Sequence, residues 1–492
     1  MDKKKTVRAL VWVGAICAIC AAFILTSVPA AFAQSRGGKA ENDRYAGLIR
    51  DVMAFIEQHY VDEVDAHKLY EGAMTGMFNA LGDPYSVYMP AEDMTDLSDT
   101  TQGSFGGVGL YITKPVGPRA DGAPNYLEVA SPIEDTPGWR SGINPGDLIL
   151  EINGESTAQL SSDECVSRLR GKPGTDVQVL IRRGEKLEFP VTLTRAIIEV
   201  PTAKHAMIGK TGYLKLLTFT PMTVSRAREA IADFKKEGYT SLILDLRNNY
   251  GGLLDSAVGI SQLFLDGGTV VSTKSRTPRE NRVYPARGVP IVDKDMPVIV
   301  LINRGSASAS EIVAGALKDR GRALLVGEKS YGKGSVQQVF PLDSDGSGYK
   351  ITVSRYYTPS DVNIDKIGIP PDREVSFPEF TEKDTKALND LLNADLIAPF
   401  VASHPQAGRA ETDAFAAELA RQFPLDAALI RRLIRNEQNR KVIAPVYDLE
   451  YDVQLKAAVD IFNIGEWSVL MRTSKTLKQL QEEAEAELEE AA

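Results

Sequence analysis

The sequence predicts a multidomain α/β protein in which a small β-rich module precedes an α/β core, with helical regions at both ends. Three observations carry this reading. Apolar residues recur at helical spacing from Tyr45 to Leu81. Short alternating runs broken by Gly/Pro turns fill residues 104 to 197. From Gly212 onward, strand-like and helix-like stretches take turns, the pattern of a core with substantial parallel pairing. The length of 492 residues provides for about three or four domains.

The first 33 residues stand apart: basic Lys3, Lys4, Lys5 and Arg8, an apolar run from Ala9 to Val28, then Ala31-Phe32-Ala33. These are the three parts of a secretory signal. The apolar run, residues 9–28, is also long enough to stay as a membrane tether. Either outcome exports the rest, to the periplasm or the outer face of the cytoplasmic membrane. Residues 34–103 read as a helical region (Leu48, Val52, Phe55, Ile56, then Leu69, Ala73, Met77, Leu81) that Gly82-Asp83-Pro84 stops.

Residues 104–197 form the β-rich module, with strand-like runs at Gly109 to Ile112, Leu148 to Ile152, Val177 to Ile181 and Leu187 to Leu193. One helix interrupts them, Ser162 to Leu169, where Ser161 and Glu164 have capping-box spacing. Residues 198–377 alternate: Tyr213 to Thr218, Val224 to Phe234, Leu242 to Leu246, Leu253 to Leu265, Val298 to Ile302, Ala309 to Lys318 and Leu324 to Val326. Residues 378–492 are helical and polar, and the acidic run from Lys478 to Ala492 reads as a solvated helix.

Removing residues 1–33 takes away a net +3 and moves the formal charge from -10 to -13, which disfavours nucleic acid and anionic surfaces as partners. Cys17 and Cys20 lie inside the signal-like segment and leave Cys165 alone after its cleavage, so no disulfide framework holds the mature chain.

The chemistry concentrates at strand-to-helix junctions. Asn303-Arg304-Gly305-Ser306-Ala307-Ser308-Ala309-Ser310-Glu311 follows an apolar strand and opens an amphipathic helix. Ser308 and Glu311 fit S-x-x-E, so Ser308 is read either as a helix cap or as a nucleophile in the positive field of a helix N-terminus. Chemistry alone does not choose among Ser306, Ser308 and Ser310. A serine needs a base, and of His59, His67, His205 and His404 none lies near the cluster in sequence. His205 is the one histidine in the core region, and a Ser-His-Asp triad is disfavoured.

Lys333, in Gly327-Glu328-Lys329-Ser330-Tyr331-Gly332-Lys333-Gly334-Ser335-Val336-Gln337, is the better base. That role requires an amine brought from a pKa of about 10.4 towards 7 or 8, roughly 4 kcal/mol of burial and positioning. An extended chain after Gly334 puts Lys333, Ser335 and Gln337 on one face, where the Gln337 oxygen can hold the lysine. Gly327 to Lys333 also begins like a phosphate-binding G-x-x-x-x-G-K-[ST] loop, but Gly334 breaks the match and a strand-like run follows. A third junction, Asp245-Leu246-Arg247-Asn248-Asn249-Tyr250-Gly251-Gly252, offers backbone amides at Gly251 and Gly252 as oxyanion donors beside Ala309. The glycine loop Gly106, Gly107, Val108, Gly109, Leu110 feeds an edge-like strand suited to a terminal carboxylate and an added peptide strand.

Together these residues resemble the carboxyl-terminal processing, or tail-specific, proteases of the S41 peptidase family. The resemblance runs from about Tyr45 to Val375 and rests on motifs in family order. They are Leu81-Gly82-Asp83-Pro84-Tyr85-Ser86, Gly106 to Leu110, Gly146-Asp147-Leu148-Ile149 with Ile152-Asn153-Gly154, Arg170 to Thr175, and Asp245 to Asn249. Gly305 to Glu311, Gly332-Lys333-Gly334 with Gln337, and Gly368 to Asp372 complete the set. The resemblance implies a PDZ domain at 104–197, ahead of a crotonase-like ββα-spiral core at 198–377. It further implies Ser308 as nucleophile, Lys333 as base, Gln337 as its support and Arg170 as a regulatory residue. Tyr250 stands where a small residue or proline is usual, Asp361 replaces a common glycine, and residues 114 to 125 resemble an insertion.

The function expected is therefore a serine endopeptidase that takes substrates by their C-termini and needs neither cofactor nor metal. The alternative is a PDZ scaffold with an inert core, which loss of Ser308 or Lys333 would have favoured. Expected partners are protein substrates, a homodimer or larger assembly through the helical ends, and an adaptor of unspecified identity.

Overall fold

The five-residue run Val298–Ile302 has no polar position, and such a strand is stable only when both of its faces are covered. The computed structural model, which describes residues 40–115, 124–184, 186–342, 345–377, 380–440 and 445–491, covers both. The signal-like segment and residues 116–123 of the expected insertion lie outside the described residues. No helix among the described residues is long and apolar enough to cross a membrane.

The chain divides into two units. The first comprises described residues 40–90 and Leu342–Lys350. Helix α1 spans residues 40–59, and α2 spans Ala66–Asn79, where Asp65 caps it by accepting from the His67 N–H at 2.9 Å. Strand β1 (Val87–Met89) pairs antiparallel with residues 348–350. Leu48, Val52 and Phe55 of α1 are exposed.

The second unit begins with α3 (Ala91–Gln102) and then builds the β-rich module. Strand β2 (Ser104–Gly107) pairs with β9 (Ala196–Glu199). Strands β3 (Leu110–Thr113), β4 (Leu127–Pro132), β5 (Leu148–Ile152), β7 (Asp176–Arg183) and β8 (Leu187–Thr194) form one antiparallel sheet in that order, with β6 (Glu155–Ser156) on β5. Its alternating inward residues Leu127, Val129, Ile149, Ile152, Val177 and Val179 pack on Cys165 and Leu169 of α5 (Ser162–Leu169). The short α4 (Pro137–Arg140) sits beside the glycine loop, and its Gly138 N–H bonds Val108 O. Both halves of the Ser161/Glu164 capping box are present, at 2.6 and 3.2 Å.

The core is a six-stranded sheet ordered β10 (Ala203–Ile208), β11 (Thr211–Leu216), β12 (Ser241–Asp245), β15 (Val298–Ile302), β16 (Leu324–Gly327), β19 (Arg373–Glu374). All pairs from β11 onward are parallel. Leu242, Leu244, Val298, Val300 and Ile302 pack in one cluster with α6 (Thr223–Lys236), α7 (Leu254–Ser261) and α8 (Ala309–Asp319). A second sheet, of which the sequence pattern marked only the strand-like run after Gly334, carries β13 (Thr269–Ser275), β14 (Arg282–Pro285), β17 (Ser335–Pro341) and β18 (Gly348–Tyr357).

The C-terminal region divides in a way its polar composition hides. Helices α9 (Glu382–Asn393), α10 (Ile397–Ser403), α11 (Arg409–Gln422) and α12 (Ala427–Gln438) make their own small core. Helices α13 (Val453–Asn463) and α14 (Trp467–Thr473) instead cover the other face of the central sheet, where Leu455, Ala458 and Ile461 meet Ile243, Ile299, Leu301 and Val326. In α15 (Leu477–Ala491), Leu477 and Leu480 join the main core, and the acidic positions Glu482, Glu483 and Glu485 are exposed.

Candidate active site

Three loops leave the C-terminal ends of β12, β15 and β16, the end of a parallel sheet where ligands bind. The β15 and β12 loops are stitched together. Asn303 Oδ1 accepts from the Asn248 N–H at 3.0 Å, and Asn303 Nδ2 donates to Asn248 Oδ1 at 3.0 Å. The Ala307 N–H donates to Asn249 O at 3.1 Å.

These ties separate the three serines. Ser306 is fully buried, and its hydroxyl donates to Leu246 O at 2.8 Å while accepting from the Asn303 N–H at 3.0 Å. Ser310 is also fully buried and donates to Asn249 O at 2.7 Å. Ser308 differs from both: it is half-buried, its hydroxyl makes no cap bond, and its backbone sits at φ 56°, ψ -113°. A non-glycine residue in that region is strained, and such strain persists where surrounding contacts over-determine it.

Glu311 supplies those contacts. Its Oε2 accepts from the Ser308 N–H at 2.9 Å and the Lys333 N–H at 2.9 Å. Its Oε1 accepts from Ser330 Oγ at 2.6 Å and the Gly332 N–H at 2.7 Å. The backbone nitrogens of Ser308 and Lys333 therefore lie no more than about 6 Å apart, twice a hydrogen-bond length. The hydroxyl of Tyr356 adds a second clamp, donating to Ser308 O at 3.3 Å and to Lys333 O. Burial pushes the Glu311 carboxyl above the ordinary carboxylate range, and the bonds from Ser330, Lys333, Gly332 and Ser308 offset that rise only in part. Sequence spacing marked Glu311 only as a capping partner; the four donors come from residues up to 22 positions away.

Glu311→Gln tests this anchor. Whichever way the amide turns, its NH₂ faces two of the four donors, an uncompensated cost of about 3 kcal/mol. The melting temperature is expected to drop by several degrees and kcat by at least about tenfold. Wild-type melting at full kcat would show that the carboxylate anchors nothing.

Lys333 is half-buried in a turn that residues 363–369 close. Gly332 has φ 90°, and a Cβ there would lie 2.8 Å from the Gly368 nitrogen, so only glycine fits. Gln337 lies on β17, and its Nε2 donates to Ser335 Oγ at 2.9 Å and Thr352 Oγ1 at 3.2 Å, which turns the NH₂ to the sheet and leaves Oε1 as the acceptor end. His205 pairs with Asp233 on α6 at 3.5 Å and packs edge-on against Phe234.

At the oxyanion candidates, Gly251 has φ 103°, and a Cβ on it would come within 2.8 Å of Ser308 Cβ and 2.9 Å of the Ala309 nitrogen. The loop thus lies directly against the nucleophile candidate. The Gly251 N–H is committed to Asn249 Oδ1 at 2.9 Å. In the first turn of α8, Ser310, Glu311 and Ile312 donate to Ala307 O or Ser308 O. This leaves the N–H groups of Ala309 and Gly252 without an acceptor among the described residues. Tyr250, beside them, is exposed. Asp361 has φ 64°, which accounts for glycine being usual there, and pairs with Lys274 at 2.6 Å.

In the β-rich module, the carbonyls of Gly106, Val108 and Gly109 turn inward to the N–H groups of Gly171, Gly138 and Ile133 at 3.0, 2.8 and 2.9 Å. The N–H groups of Val108 and Gly109 meet no acceptor among the described residues, and β3, which follows through Leu110, is an edge strand of its sheet. Arg170, one residue before Gly171, binds Asp96 of α3 at 2.6 Å, approaches Asp99 at 3.6 Å and stacks 4.9 Å over Phe105.

The family model for peptidase family S41 matches residues 210–375, a PDZ domain model matches 128–183, and the model of the activating protease CtpB N-terminal domain matches 28–93. The carboxy-terminal-processing protease of Bartonella bacilliformis is 40% identical over 356 residues, covering 70% of this chain and 79% of its own length. The chain belongs to the carboxy-terminal processing proteases of peptidase family S41. It is a multidomain α/β serine peptidase with a PDZ domain. The carboxy-terminal processing protease CtpB of Bacillus subtilis is 34% identical over 363 residues, 73% of each chain. The chloroplastic carboxyl-terminal-processing peptidase 2 of Arabidopsis thaliana is 38% identical over 65% of this chain and 63% of its own. Among solved structures, the photosystem II D1 C-terminal processing protease matches at 31% identity over 67% of this chain and 92% of its own, with a TM-score of 0.39.

Proposed function

We propose that this carboxy-terminal processing protease is exported, takes its substrates by their C-termini on the PDZ domain, and cleaves them with a Ser308/Lys333 dyad. The observation that carries the dyad is the shared Glu311 oxygen joining the backbones of Ser308 and Lys333, while the other two serines spend their hydroxyls on backbone carbonyls.

In this reading, the neutral Lys333 amine accepts the proton of Ser308 Oγ as that oxygen bonds to the scissile carbonyl carbon. The N–H groups of Ala309 and Gly252 receive the oxyanion, and the N-terminus of α8 adds its positive field. The Lys333 ammonium then gives its proton to the departing amine as the C–N bond breaks, leaving an acyl-enzyme for water to hydrolyse. Gln337 Oε1 steadies the lysine between these steps.

The N–H groups of Val108 and Gly109 hold the substrate carboxylate while its backbone extends β3. Arg170 adjoins this loop and binds α3, so a peptide entering the groove alters its surroundings; this supports a regulatory role. The signal-like residues 1–33 support an exported location, with residues 9–28 as the tether if retained. The exposed apolar side chains of α1 support a homodimer or larger assembly.

Paired peptides identical but for a free or amidated C-terminus test the recognition. Amidation removes charge-assisted bonds to the loop and is expected to lower kcat/KM by about tenfold or more. Equal rates for the two would take recognition away from the Gly106 to Leu110 loop.

A further inference from the structure

Arg247 lies two residues beyond the end of β12, in the loop that carries Asn249, Gly251 and Gly252. Its guanidinium is buried and gripped from two sides. Asp245 accepts from Nε at 2.9 Å and from Nη2 at 2.6 Å. Asp452 accepts from Nη1 at 2.7 Å and from Nη2 at 2.7 Å, and Gln454 Oε1 accepts from Nη1 at 3.0 Å. Asp245 also takes the Arg247 N–H at 2.9 Å and the Tyr213 hydroxyl at 2.7 Å. Burial pushes the Asp245 carboxyl up, but Arg247 beside it holds it below the ordinary carboxylate range.

Asp452 and Gln454 open α13, and Asp452 caps that helix through the Leu455 N–H at 2.9 Å. Gln454 also reaches a second strand end. Its Nε2 donates to Val375 O at 2.8 Å, and the Val375 N–H donates to Gly327 O at 2.9 Å, where β16 ends and the segment to Lys333 begins. One helical turn thus touches the roots of both loops on which the proposed chemistry depends. It comes from outside the matched peptidase model, which spans 210–375.

A buried ion network of this kind adds little stability over well-packed apolar side chains. What two bidentate carboxylates do well is fix the plane and direction of a guanidinium. We infer that Asp452 and Gln454 are positioning residues for peptide cleavage, holding Arg247 and through it the loop that presents Gly252 to the oxyanion. The C-terminal helical region is then a working part of the active site. This rests on the oxyanion reading proposed above.

The test uses the full chain. Asp452→Asn keeps the shape of the side chain but turns an amide NH₂ towards Arg247. In folded protein, confirmed by circular dichroism and melting, kcat is expected to fall between about tenfold and a hundredfold with KM little changed, part of the loss from removing an oxyanion donor. Gln454→Met, which keeps volume and removes only hydrogen bonds, should show a smaller loss of the same kind, about threefold to tenfold. A merely structural role would lower the melting temperature and leave kcat of the folded molecules unchanged, and that result for Asp452→Asn overturns the inference. If Asp452→Asn melts below the assay temperature, Gln454→Met decides alone, with wild-type kcat as the overturning outcome. Ser308→Ala, run in parallel, separates the two readings: normal turnover there sinks the dyad itself, whatever Asp452→Asn does.

Discussion

Arginine at position 333 is expected to leave a folded protein with almost no peptidase activity. Lys333→Arg keeps the positive charge and the hydrogen-bond donors, and the backbone N–H that Glu311 holds is untouched. What it removes is the ability to give up a proton, because a guanidinium stays charged at any working pH. An ordinary lysine, with a pKa of about 10.4, is less than about 1% neutral near pH 7.5, so the site must supply the neutral form and arginine cannot. A lysine that only paired with a carboxylate in this turn would tolerate arginine well. Melting curves and circular dichroism should match wild type. A folded variant with more than about a tenth of wild-type kcat refutes Lys333 as the general base.

Ser308→Ala is expected to be the most damaging change for chemistry and one of the mildest for folding. Its hydroxyl makes no cap bond, so its loss orphans no partner among the described residues, while turnover should fall by about 10⁴-fold or more. Ser306→Ala and Ser310→Ala should show the opposite balance. Each removes a hydroxyl bond from a buried carbonyl, Leu246 O or Asn249 O, that keeps a backbone N–H, and should cost about 1 kcal/mol of stability while leaving measurable cleavage. Thermal melts and initial rates on all three variants separate these patterns. Wild-type turnover in folded Ser308→Ala would end its claim as nucleophile.

The contrast among these serines shows where sequence legibility stops. In Ser306-Ala307-Ser308-Ala309-Ser310 the local chemistry of the three hydroxyls is the same, and the capping spacing of Ser308 and Glu311 argues for a structural role. The distinction comes from carbonyls 60 and 61 positions away, which occupy two of the hydroxyls. Likewise, Glu311 reads as a cap until Ser330, Gly332 and Lys333 arrive to share it. The family motifs carried Ser308 and Lys333 into view, but the reason those two residues stand together is a buried carboxylate that no local pattern announces.

Elements whose stability is written into their own periodicity and ends could be read directly from the chain: the Ser162–Leu169 helix with its capping box, the apolar strands Leu148–Ile152 and Val298–Ile302, and the alternation that makes the core α/β. Helical spacing and period-two alternation are properties of a few consecutive residues, so they survive without any knowledge of the fold. The second sheet, the use of α13 to cover the central sheet, and the grip of Asp452 on Arg247 across 205 positions belong to tertiary structure alone. A helix such as α13 shows an apolar stripe in sequence but not what that stripe will cover, which depends on a sheet assembled from strands far earlier in the chain. Pairings between distant segments leave no local period to detect, and those pairings bring the site together.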